Sequence, residues 1–88
     1  MEVRFSNRKY ELIITDHARQ RMGARNITND VIVDVIQTGQ VKPKETAHRY
    51  WIYKNLSKRR DNAVCLSVVV EEPHLIVVTA LVNWRPKA

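Results

Sequence analysis

Apolar residues recur at two different periods along this chain. Val31, Ile32, Val35 and Ile36 fall on one side of a helical wheel, with Asp30, Asp34 and Gln37 opposite. Thr28 is placed as an N-cap and Gly39 as a C-cap, so this pattern predicts a helix from Thr28 to about Thr38. Thr15 or Asp16 offers an N-cap for an earlier helix over about residues 16–25, whose last turn Gly23 weakens. Ahead of it, Tyr10 to Ile14 is rich in strand formers and reads as a short strand paired with Val3 to Phe5 across the polar SNRK turn. After Pro43 the period falls to two. Arg49, Trp51 and Tyr53 share one side of a strand, and Tyr50, Ile52 and Lys54 the other. Ala63 to Val70 and Leu75 to Val82 are almost wholly apolar, which predicts central strands covered on both faces and joined by the EEPH turn. Helices first and strands later predict an α+β fold: two N-terminal helices packed on a curved antiparallel sheet of about four strands.

Length and composition narrow the partners more than the fold. Eighty-eight residues suit a single domain spanning 1–88. A hydrophobic share of 44% is enough for a folded core, against a disordered chain. The formal net charge of +6 favours nucleic acid, an anionic membrane or an acidic protein. Between Lys42 and Arg60 stand Lys42, Lys44, Arg49, Lys54, Lys58, Arg59 and Arg60 against the single acid Glu45, so this segment alone supplies a charge equal to the excess. Cys65 is the only cysteine and suits a reducing compartment. MEVRFSNRKY lacks a signal-type apolar core, and the run Leu75 to Val82 is too short to span a bilayer. A cytoplasmic protein with no membrane partner is the expectation.

Candidate chemistry concentrates in ITDHARQRMGARNIT. On a helix, His17, Arg21 and Arg25 fall at i, i+4 and i+8 and span about 80° of arc. Ala18 and Met22 form the neighbouring stripe, so the His–Arg–Arg line borders the buried face. Histidine exchanges protons near neutral pH, and arginine binds phosphate through a bidentate fork. Cleavage of RNA by its own 2′-hydroxyl requires a base, an acid and cationic stabilisation, with no metal and no cofactor. The same residues also admit a structural reading, in which His17 packs or caps and the arginines pair with Asp16, Glu11 or carbonyls.

A second candidate surface is Arg49 with Trp51 and Tyr53, extended by Lys54 and the run Lys58, Arg59, Arg60. Aromatics stack bases and cations hold phosphates. Against that, Trp51 and Tyr53 equally suit a core under the helices, and the KRR run a solvated loop. Thr79 interrupts an apolar strand, so its hydroxyl requires a partner, which Ser67 or Cys65 would offer. The histidines and Cys65 show no metal-ligand spacing, no glycine-rich phosphate loop is present, and no signal is specific to DNA.

His17-Ala18, Arg21-Met22, Arg25, Ile27-Thr28 and Val77-Val78-Thr79 together resemble the DUF4258 family over about residues 12–83. That family is similar to the barnase–colicin–RelE-like group of metal-independent ribonuclease toxins. The resemblance implies helices packed on an antiparallel sheet with RNA on its open face. It also implies RNA cleavage and a neighbouring acidic antitoxin, and it supports His17, Arg21 and Arg25 as a site without fixing their roles. The alternative is a non-catalytic module that binds RNA or an acidic protein.

Overall fold

The computed structural model describes residues 1–56 and 63–82. The chain opens with a hairpin in which β1 (Glu2–Phe5) and β2 (Arg8–Ile14) pair antiparallel, Val3 opposite Tyr10 and Phe5 opposite Arg8. Ser6 and Asn7 link them with φ of 51° and 66°. Two left-handed residues in succession make a loop whose twist matches that of the strands it joins. Val3, Phe5 and Tyr10 are buried, while Arg4, Lys9 and Glu11 are exposed.

α1 (Asp16–Ala24) follows directly, with Thr15 as its N-cap. The Thr15 hydroxyl accepts the Ala18 N–H at 3.1 Å. Ala18 and Met22 are the buried residues of α1, as their stripe predicted. The helix closes on Asn26, whose φ is 54°, with the Ile27 N–H donating to the Met22 carbonyl at 2.9 Å. This is the Schellman closure, and buried Ile27 and Met22 supply its apolar contact.

α2 (Asn29–Thr38) runs from its N-cap Thr28 to Gly39 and buries Ile32, Val35 and Ile36. Gly39 is the C-cap in extended conformation, φ −76° and ψ 173°. A Cβ there would stand 2.4 Å from the Val35 carbonyl oxygen and 2.8 Å from that of Tyr53. Glycine is required by this close approach of backbones and not by a left-handed turn.

β3 (Gln40–Pro43), β4 (Arg49–Asn55), β5 (Ala63–Glu71) and β6 (His74–Val82) complete a sheet of order β1-β2-β6-β5-β4-β3. Among the described residues it has six strands, not about four, and it is mixed, because β2 and β6 run parallel. The helices follow the first hairpin and do not precede every strand. A further correction concerns β5 and β6. They are central, but α1 lies on β6 and α2 on β1, β4 and β5, all over one face, where both helices share one core with Ile52, Leu66, Val77 and Leu75. Among the described residues, the other face carries no helix.

Candidate nucleic-acid interface

Cross-strand partners share a face of a sheet, so the registers define the side away from α1 and α2. Trp51 lies opposite Ser67 and Lys42, and Ser67 opposite Thr79. Tyr53 lies opposite Cys65 and Gln40. Arg49, Val69, Ile76 and Ile13 form the next row. Buried Ile52 and half-buried Tyr50 point to the helices instead, and the Tyr50 ring meets Phe5 edge-on at 5.8 Å. Trp51 and Tyr53 therefore belong to the open face and not to the core under the helices.

Lys44, in the β3–β4 loop, folds back over this face. Its ammonium stands 3.8 Å from the centre of the Trp51 ring and hydrogen-bonds the Ser67 hydroxyl. Ser67 is buried. Desolvation holds the Lys44 ammonium below its ordinary pKa, and neighbouring Arg49 pushes it the same way. Beneath, buried Cys65 is pushed up to about 12 by burial, a rise that the Lys44 charge opposes. Such a thiol stays protonated and is a poor nucleophile.

Lys54 departs from the predicted surface. It lies on the helix side of β4, where its ammonium pairs with Asp34 at 2.9 Å and donates to the Thr38 hydroxyl at 2.7 Å. The Lys54 hydrogen bond in turn holds the Asp34 carboxyl below its ordinary pKa. Thr79 is half-exposed on the open face, so its hydroxyl is not sealed inside a doubly covered strand as expected. Lys58, Arg59 and Arg60 lie outside the described residues.

The α1 line divides in two. His17 and Arg21 are exposed, and their side chains have no hydrogen bond or ion pair among the described residues. Arg25 is half-buried and donates to the Ala80 carbonyl at 3.5 Å. The reason lies in the sheet. β2 ends at Ile14 opposite Val77, while β6 continues to Val82. Past that point the β6 carbonyls lack a β2 partner, and groups flanking α1 take them. The Thr15 N–H donates to Val77, the Thr15 hydroxyl to Val78 at 3.1 Å, and Arg25 to Ala80. Arg25 thus acts as an edge cap.

A separate cavity of about 570 Å³ opens at one end of the sheet, walled by Phe5, Tyr10 and Tyr50 and rimmed by Arg8, His48 and Glu72. Arg8 and Glu72 pair across it at 2.5 Å. It includes none of the predicted site residues. Among the described residues no three His, Cys, Asp or Glu side chains cluster to hold a metal, and no helix is long and apolar enough to cross a membrane.

Sequence reasoning missed Lys44. It entered only as one cation of a basic run, because nothing local shows that a loop lysine returns onto Trp51. The strand β3 that sets its position is four residues long and carries a proline, a weak pattern.

No curated protein and no solved structure matches the chain. A family model described as a domain of unknown function (DUF4258) matches residues 14–82, from the end of β2 through the last strand, and the chain belongs to that family.

Proposed function

We propose that the protein binds single-stranded RNA across the open face of its sheet. The observation that carries this reading is the grouping of Lys42, Lys44, Arg49, Trp51 and Tyr53 on the side that neither helix covers. Cations there attract the phosphate backbone, and aromatic rings offer base-stacking surface. The resemblance of the sequence motifs to barnase–colicin–RelE-like nucleases would put RNA on the same face. Fluorescence anisotropy with a labelled single-stranded oligoribonucleotide tests it. Arg49→Glu and Tyr53→Ala should weaken binding, and Lys54→Gln, on the opposite face, should not. Absence of binding by the wild type at low salt, or equal losses on both faces, rejects the reading. Preference for an acidic protein over RNA would assign the surface to a protein partner such as an antitoxin.

A second reading, metal-independent cleavage, draws on the exposure of His17 and Arg21 one turn apart. In that reaction the 2′-oxygen attacks phosphorus, the bond to the 5′-oxygen breaks, and a cyclic phosphate remains. His17 would move protons and Arg21 would stabilise the phosphorane. Arg25, engaged by the Ala80 carbonyl, contributes by holding α1 in place. Incubation with RNA in chelator checks this: wild type should cleave and His17→Ala should not. Intact RNA with wild type, or equal cleavage by both, leaves a binding module.

A further inference from the structure

The open face holds an arrangement that the binding reading does not require. The Trp51 ring, well placed to stack a base, is covered on one side by the Lys44 ammonium. That ammonium also hydrogen-bonds buried Ser67. Among the described residues no carboxylate pairs with it, and Arg49 stands close enough to repel it. A partly desolvated cation with no paired carboxylate among the described residues, on a long flexible stem, is poised to leave for an anion.

We propose that Lys44 is a displaceable cover on Trp51: a nucleotide phosphate draws the ammonium off the ring, and the indole face that the ammonium occupied receives the base attached to that phosphate. The ligand class is a base with its phosphate, as one unit. A bare phosphate would move Lys44 without filling the ring, and a bare base would meet a covered one. This inference rests on the RNA reading for its natural ligand, though the movement of Lys44 is observable without RNA. An anion offsets both the partial desolvation of the ammonium and its repulsion by Arg49.

Trp51 is the natural reporter. Trp84 is the second tryptophan of the chain, so a Trp84→Phe background isolates the signal. Three probes are titrated: a single-stranded oligouridylate, the same backbone without bases, and inorganic pyrophosphate. All three should change Trp51 emission as the cation leaves, and only the base-bearing strand should add stacking quenching. Lys44→Met should abolish the response to pyrophosphate. It should also reduce the slope of log K against log salt for oligouridylate by about 0.7, the value for one lost single-strand phosphate contact. Ser67→Ala, which removes the competing acceptor while retaining Lys44, should tighten binding; melting curves confirm that both variants fold.

An unchanged salt slope in Lys44→Met, or Trp51 emission indifferent to bound oligouridylate, overturns the cover while leaving RNA binding intact. If wild type ignores RNA yet Trp51 responds to pyrophosphate through Lys44, the cover stands and the RNA reading falls. Silence toward both probes removes both.

Discussion

Single side chains on this sheet hold two opposed titrations. Burial raises the Cys65 thiol to about 12, whereas burial lowers the Lys44 ammonium. Between the ordinary thiol range and about 12, the unfolded chain sheds the Cys65 proton and the native protein keeps it, so this contribution to stability declines as pH rises. The Lys44 contribution has the other sign. Its native pKa lies below the unfolded value, the unfolded state binds more protons in that window, and stability gains as pH climbs toward 10.5. Thermal melts from pH 8 to 11 should therefore fall more steeply for wild type than for Cys65→Ala; parallel curves would refute the sign. Arg25 and His17 separate in the same assay. Arg25→Ala should lower the melting temperature by the equivalent of about 1 kcal/mol, as a partly buried hydrogen bond is lost, and His17→Ala should leave it unchanged. Their helical spacing was legible in the sequence. Their divergent fates were not, because the carbonyl that engages Arg25 belongs to a strand 55 residues away.

At the scale of elements, both helices were readable because their caps are local chemistry. Thr15 and Thr28 each accept an N–H three residues on. Alternation alone also sorted the residues of β4 onto two sides, but did not show which side meets the helices. β3 was not readable, since a short edge segment ending in proline carries little periodicity. The two glycines are expected to respond in opposite directions. Around Gly23 nothing lies within 4 Å of a Cβ, so Gly23→Ala should stabilise by up to about 1 kcal/mol through helix propensity. Gly39→Ala would drive a methyl into two backbone oxygens and should destabilise by well over about 1 kcal/mol. Urea denaturation of both variants decides the matter; a neutral Gly39→Ala would mean that α2 and β4 separate easily.

For the molecule as a whole, the α+β class followed from the pattern, but the topology did not. The parallel pairing of β2 with β6 joins segments from opposite ends of the chain, and neither carries a mark naming the other. Two apolar strands in sequence look doubly covered whether the second layer is a helix or a row of side chains. Here Cys65 and Ser67 are buried on the side away from α1 and α2, beside Trp51, Tyr53 and Lys44, so the apolar run hid a face that neither helix covers. That same asymmetry places β6 at risk. Its last residues extend past the end of β2, and Thr15 and Arg25 occupy carbonyls that a neighbouring strand would otherwise seek. Fraying of α1 would bare an unpaired strand margin able to recruit a second molecule. Warming should therefore produce assembly before full unfolding, and Thr15→Ala, which removes a helix cap and an edge cap at one stroke, should bring its onset to a lower temperature.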